Sequence, residues 1–342
     1  MKDREEGDMS HTIAGRRVVV RPDNRVEVES FIPRPPGRNE VLIETLCTLI
    51  SAGTELGLQE EPRTHEIYPG YSNVGRIVAL GEDVKDYAVG DVVLSLGNHA
   101  SHVTVSAAPP SLAPVPDSVP PEEASFGVLG SVSLHGVRRA RVELGEHVAV
   151  TGMGLVGQLA LQLVAHTGCE SLLAADLSDF RLHIAASLGA TQTVNPQTGD
   201  FAQVVHHATG GRGLDCVIEA SGYPDPLPLL FDLARIGGRV ILLGSIWHRK
   251  VEIDFMPFHL KELTLVGVHQ PKCPTTETPY FPWTQPYNRR QVLKMIGDGR
   301  LKVRPLITHI LPFTEVAEAY RLLRHERDKA LGIVLDFRSA VG

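Results

Sequence analysis

Two periodicities divide the chain. From about residue 16 to 125, short strand-like runs end at Gly or Pro: Arg17-Val18-Val19-Val20, Val26-Glu27-Val28, Val41-Leu42-Ile43-Glu44, Gly75-Arg76-Ile77-Val78-Ala79-Leu80, Gly90-Asp91-Val92-Val93-Leu94 and His102-Val103-Thr104-Val105. Short apolar or alternating runs between turn formers predict β-strands. The proline-rich stretch from Ala108 to Pro121 reads as a connector along the surface. From about 127 to 270 apolar runs alternate with helical segments, predicting strands at 147–151, 171–175, 192–195, 214–219, 239–243 and 263–268. Near-continuous apolar strands such as Val240-Ile241-Leu242-Leu243 suit a parallel sheet covered on both faces. After 270 a proline-rich loop leads to a helix near 288–297, a strand around 305–310, a helix at 313–325 and a strand at 330–336. That tail is expected to complete the β-rich segment, which alone would leave edges and apolar faces uncovered. The expected organisation is a β-rich domain at 1–126, completed by 271–342, and an α/β domain at 127–270.

Composition narrows the class. The chain has 342 residues, 43% hydrophobic and 21% charged, as expected for a soluble protein of about two domains. A net charge of −7 and a pI near 6.1 argue against a general nucleic-acid binder. No apolar run reaches the ~18–20 residues that span a bilayer. The charged N-terminus MKDREEGDMSH lacks a signal-peptide core and reads as a short disordered leader. Cys47, Cys169, Cys216 and Cys273 are scattered without a C-x-x-C pair, which predicts reduced thiols in a cytoplasmic protein and removes the usual cysteine-based zinc motifs.

The strongest chemical signal is Val148-Ala149-Val150-Thr151-Gly152-Met153-Gly154-Leu155-Val156-Gly157, then a helical segment, then Leu172-Leu173-Ala174-Ala175-Asp176. Strand, G-x-G-x-x-G, helix, and a second strand ending in a carboxylate form the dinucleotide-binding pattern. Gly152 allows the tight turn, Gly154 lets backbone approach a pyrophosphate, and Gly157 lets the helix pack closely on the sheet. The helix start at Leu155 and Val156 offers unpaired N–H groups and a positive dipole end to phosphates. Asp176 would accept bonds from the adenosine ribose hydroxyls and repel a 2′-phosphate, so NAD is expected in preference to NADP. Arg181, five positions on, is placed to lie over the adenosine or to be an ordinary exposed helix residue.

Element order and motifs together resemble the medium-chain dehydrogenase/reductase superfamily, the zinc alcohol dehydrogenase type, from about 16 to 337. The likeness includes the glycine motif, Ala220-Ser221-Gly222, Gly237-Gly238-Arg239-Val240-Ile241-Leu242-Leu243-Gly244, and Gly75 to Gly81 followed by Val89-Gly90-Asp91-Val92-Val93. It implies a GroES-like β-rich catalytic domain, a Rossmann doubly wound parallel sheet and an active site in the cleft between them. It also implies cofactor contacts from Ser131, Ala220, Gly244 and His269. Zinc-dependent relatives carry Cys-Gly-Thr-Asp, Gly-His-Glu and a third Cys, Asp or Glu. This chain has Ala52-Gly53-Thr54-Glu55, then Gly70-Tyr71-Ser72, with Gly127 near the third position. Alanine and glycine offer no side-chain donor and a neutral tyrosine is a poor zinc ligand, so no metal is expected. The four-cysteine lobe of the family's structural zinc is also missing. Two zinc-free branches compete. One is similar to quinone and enoyl reductases, which use NADPH. The other is similar to bacteriochlorophyllide-type hydroxyethyl dehydrogenases, and Ser51 to Glu55 with Pro69 to Gly75 favours it.

Without the ion a protein group must handle the alcohol proton. By the resemblance Thr54 takes the hydroxyl position that bonds the substrate alcohol. Glu55 is a candidate base or an orienting acid. Tyr71 fills the vacated ligand position, where it can donate to, or accept a proton from, the substrate oxygen. His99, His102, His135 and His269 have the better intrinsic pKa for a base, with His99 and His269 foremost. Trp247, Phe281, Trp283 and Tyr287 are loop aromatics that could wall a ring-shaped substrate. The expected activity is zinc-independent, NAD-dependent oxidation of a secondary alcohol to a ketone. The substrate would be a small molecule: a sugar, a cyclitol or another biosynthetic intermediate. A reductase of activated double bonds and a catalytically silent NAD(H)-binding protein remain alternatives. A homodimer joined through the nucleotide-domain sheets is expected, with neither a nucleic-acid nor a membrane partner.

Overall fold

The computed structural model of the chain describes residues 14–57, 64–244 and 250–338; the charged leader and Trp247 lie outside them. The central segment builds a six-stranded, all-parallel sheet. Its spatial order is Gln192–Val194, Ser171–Ala175, His147–Thr151, Leu214–Glu219, Ala234–Leu242 and Thr264–Gly267. Strand order thus reverses beside His147–Thr151, where a doubly wound sheet opens a crevice at its carboxyl edge. Successive side chains take opposite faces, as pleating requires. Val148, Val150, Leu172, Ala174 and Ile218 pack on one side with the helices Gly127–Ala140 and Leu155–Ala165. Ala149, Leu173, Val217 and Val240 pack on the other with Phe201, Val205 and Leu230. The strand expected at 239–243 begins earlier, at Ala234. Pairing runs Leu214 with Ala234 and then Cys216 with Arg239. Gly237, at φ +71°, lets the chain bulge between the two.

The β-rich part holds a second sheet in the order Ile307–Pro312, Gly332–Asp336, Glu40–Leu49, Asn73–Leu80, Val92–Ser95 and Leu112–Pro114, with His102–Ser106 also paired to Glu40–Leu49. Gly15–Val20 and Val26–Phe31 form a separate two-stranded ribbon. The C-terminal strands enter this sheet through Val334 opposite Leu49. The stretch read as a surface connector is partly sheet, because Leu112 and Ala113 are buried and pair with Val92–Ser95. The tail also supplies much of a core cluster containing Val18, Ile50, Tyr320 and Ile333. There Phe313 and Phe337 stack with centroids 4.4 Å apart. All four cysteines are free thiols. Among the described residues no helix is long and apolar enough to cross a membrane.

Because Phe337 is buried and closes the tail onto the N-terminal strands, Phe337→Ala should cost about 3–5 kcal/mol of stability. A denaturant melt should show this as a marked fall in midpoint.

Candidate functional site

The glycine turn is shaped by steric exclusion. Gly152 sits at φ +84°, and a Cβ there would lie 2.4 Å from the Ser221 backbone N. A Cβ on Gly157 would lie 1.8 Å from the Gly152 carbonyl oxygen, so only glycine lets the helix seat on the turn. Gly154 differs: a Cβ there would meet nothing within 4 Å. The helix Leu155–Ala165 therefore starts at an open space, and no side chain caps it. Asp176 closes the next strand. One of its oxygens accepts from the Met153 N–H at 2.5 Å and the other from the Ser178 N–H at 2.8 Å. Nearby, the Arg181 Nε is buried without a partner. Burial pulls the Arg181 pKa down, and the Asp176 charge opposes it.

The neighbouring turns are tied to this one. The Ala220 N–H donates to the Thr151 carbonyl at 2.8 Å and the Gly244 N–H to the Glu219 carbonyl at 2.9 Å. Glu219 is fully buried, and its carboxylate accepts from the backbone of Ser221 at 2.7 Å and of Gly222 at 3.2 Å. Burial raises its pKa, against those bonds. Ser131 is buried and turns its hydroxyl to the Val128 carbonyl of its own helix, 2.7 Å away. Ser133, unremarked in the sequence, instead donates to the Val156 carbonyl at 2.9 Å and so links two helices at the cradle. His269 is exposed just past the edge strand Thr264–Gly267.

At the positions aligned with metal ligands, Ala52 packs against the Ile50 and Phe313 cluster. A Cβ on Gly127 would lie 2.5 Å from Leu94 Cδ2, and Phe126, Val128 and Leu129 beside it are buried and apolar. Only Tyr71 brings a polar atom. Its hydroxyl donates to the Ser51 hydroxyl and lies 3.4 Å from Thr54 Oγ1, forming a three-hydroxyl cluster. Burial pushes the Tyr71 phenol above its ordinary pKa, with the Ser51 and Thr54 bonds opposing. The raised pKa favours Tyr71 as a donor over the base role also considered for it. Among the described residues no three His, Cys, Asp or Glu side chains gather into a metal-holding group.

Glu55 and His99 lie beneath that cluster, 2% and 0% exposed. Glu55 accepts from the Ser51 N–H at 2.7 Å, pairs with His99 Nε2 at 3.0 Å and accepts from the Tyr320 hydroxyl. The other His99 nitrogen, Nδ1, lies 2.7 Å from Thr48 Oγ1. With both ring nitrogens engaged inside the protein, His99 has none to offer a substrate. Neither residue is placed as the base that sequence reasoning considered. Tyr320 was missed because it is 265 positions from Glu55 and no local pattern marks it. Ser51 lay inside the run that nominated Thr54, so its signal was available. His102 is half-buried and His135 is buried; burial lowers the pKa of both. Trp283 and Tyr287 cover the Arg138 guanidinium at 4.9 and 5.3 Å, and Phe281 meets Trp283 edge-on at 5.7 Å.

Comparison with known proteins finds dehydrogenase relatives. A family profile described as zinc-binding dehydrogenase matches residues 156–284. L-threonine 3-dehydrogenase of Stenotrophomonas maltophilia is 30% identical over 343 residues, covering 90% of this chain and 95% of that protein. The structure of an alcohol dehydrogenase from Thermus sp. ATN1 superposes with a TM-score of 0.79 at 25% identity, covering 94% of this chain and 99% of the other. An Escherichia coli oxidoreductase/dehydrogenase of unknown specificity has the same fold, with a TM-score of 0.83, 19% identity and coverage of 95% and 99%.

Two glycine variants should separate fold from ligand. Gly154→Ala should leave stability nearly unchanged while weakening NADH binding about tenfold or more, read by fluorescence titration. Gly157→Ala should instead destabilise the chain, although Gly→Ala inside a helix ordinarily stabilises by roughly 0.5–1 kcal/mol. A pH series tests Tyr71. Its raised folded pKa means that its stability contribution is full below the unfolded value of about 10 and is lost as pH rises through the folded one. The stability difference between wild type and Tyr71→Phe should therefore shrink in alkaline melts above about pH 10.

Proposed function

The chain belongs to the medium-chain dehydrogenase/reductase superfamily, and from that premise we propose that it is an alcohol-oxidising dehydrogenase that works without zinc and uses NAD. The observation that carries the reading is the hydroxyl cluster in which Tyr71, at one expected ligand position, meets Ser51 and Thr54, which flank another, Ala52. The donor set does not fit zinc, since Ala52 and Gly127 have no side-chain donor and a tyrosine hydroxyl is a poor ligand beside Cys or His. The cradle does fit a dinucleotide. It has an open helix start at Gly154, a carboxylate at Asp176 and an unpaired, buried Arg181 Nε beside it. A carboxylate at Asp176 favours a free ribose 2′-hydroxyl over a 2′-phosphate.

NAD, when bound, supplies nicotinamide C4 as the hydride acceptor. The chain's part is to hold the carbinol oxygen and take its proton. Ser51, whose hydroxyl accepts from Tyr71, donates to that oxygen and orients the carbinol hydrogen. Thr54 Oγ accepts the hydroxyl proton as the C–H bond gives up its electron pair and C=O forms, and passes a proton outward to water. One alcohol and one oxidised coenzyme give one ketone, one reduced coenzyme and one proton. Glu55 and His99 act from behind as positioning residues, without touching substrate. Three hydroxyls suit a polyhydroxylated secondary alcohol, such as a sugar or cyclitol.

The four free thiols support a cytoplasmic setting. A second copy would pair along the edge strand Thr264–Gly267 of the parallel sheet; Leu265, 38% exposed there, supports that reading. Light scattering should then give twice the chain mass of 37.2 kDa.

Thr54→Val and Tyr71→Phe should each lower kcat for secondary-alcohol oxidation by about 10²-fold and leave NADH affinity within about twofold. Chelators should not slow the wild type, and elemental analysis should find no stoichiometric zinc. Full activity in both variants, or zinc in equal amount with protein, would refute the assignment. Strong NADPH-dependent turnover of enones would point to the reductase alternative.

A further inference from the structure

We propose that Glu55, His99 and Tyr320 form a buried clamp that does the geometric work of a shared metal ion, holding segment 51–55 against segment 69–71. The idea rests on the reading of Ser51, Thr54 and Tyr71 as substrate-holding groups. In the zinc-dependent pattern, one ligand on each segment would join the two through the ion. Here each side is gripped separately. Glu55 takes the Ser51 N–H at 2.7 Å. The His99 backbone N–H donates to the Pro69 carbonyl at 2.9 Å, and its ring lies on Gly70, where a Cβ would come within 2.7 Å of Nδ1. Gly70, at φ +96°, turns the chain directly into Tyr71.

The Glu55–His99 contact at 3.0 Å then joins the two grips. Tyr320, from the helix Val316–His325, adds an O–H to the same carboxylate oxygen and anchors the pair to the C-terminal part of the chain. A buried carboxylate costs heavily unless donors meet it, so each donor constrains where Glu55 sits. Directional bonds to it set the Ser51 to Tyr71 spacing. Tyr320 is thus a positioning residue of the site, reached only through Glu55.

The clamp can be tested on the full chain with two variants. Tyr320→Phe keeps the ring and removes one donor; Glu55→Gln keeps the shape and removes the charge. Hydrogen-exchange mass spectrometry should show residues 50–57 and 69–72 exchanging about tenfold faster in both variants, while 147–176 is unchanged. NADH affinity should stay within about twofold, and kcat for the best secondary alcohol in a substrate panel should fall about tenfold with KM little changed. Unchanged exchange in both segments, or equal acceleration across the whole β-rich part, would overturn the clamp. Faster exchange of wild-type 50–57 and 69–72 on adding 1,10-phenanthroline would also overturn it, by showing that a metal joins them. If Glu55→Gln does not fold, Tyr320→Phe decides. If wild type turns over no alcohol, the functional reading fails while the exchange result still judges the clamp.

Discussion

A carboxylate out of reach of water must be met by donors, and Glu55 is met from three places in the chain. The Ser51 amide comes from the same turn, His99 from a loop ahead of the strand His102–Ser106, and Tyr320 from a C-terminal helix. Each of these groups satisfies part of the buried carboxyl's hydrogen-bonding capacity, and losing one leaves that part unmet away from water. The fold around the hydroxyl cluster is therefore organised from beneath by one buried carboxyl group. The C-terminal strand pairing, Val334 with Leu49, brings Tyr320 within reach and makes the tail part of the site.

The glycine turn follows a different rule. Around the glycine turn, backbone atoms and the absence of side chains do the shaping. Gly152, Gly157 and Gly244 each stand where a Cβ would collide with a neighbouring turn, whereas Gly154 borders open space. Three adjacent turns, after Thr151, Glu219 and Leu242, lock together by close approach and by the buried Glu219 carboxylate. Such a cradle recognises a ligand through N–H groups and shape, which suits a cofactor common to many dehydrogenases. The hydroxyl side uses side chains, so there a few substitutions alter chemistry while the scaffold stays in place.

Much of the nucleotide-binding half was legible in the chain. Continuous apolar runs separated by helical segments can be buried only in a covered parallel sheet, and the strand positions follow from that. The G-x-G-x-x-G run and Asp176 were readable because their functions depend on fixed local spacing. Less legible was the strand Leu112–Pro114, hidden by prolines that suit an edge. The longer strand from Ala234 was obscured by a glycine bulge.

Sequence alone determined the doubly wound sheet, the glycine turn and which residue types stand at Ala52, Tyr71 and Gly127, because each depends on residue type at short range. Only the tertiary structure decided which polar groups are turned inward. His99 and Glu55 carry the right chemistry for a base, yet burial and mutual bonding turn them inward. Packing strips water from the Tyr71 phenol and pushes its pKa further above the ordinary value. Tyr320 joins Glu55 across 265 residues by the return of the tail. Protonation and hydrogen-bond partnership depend on burial, and burial is settled by contacts between segments that local sequence does not encode.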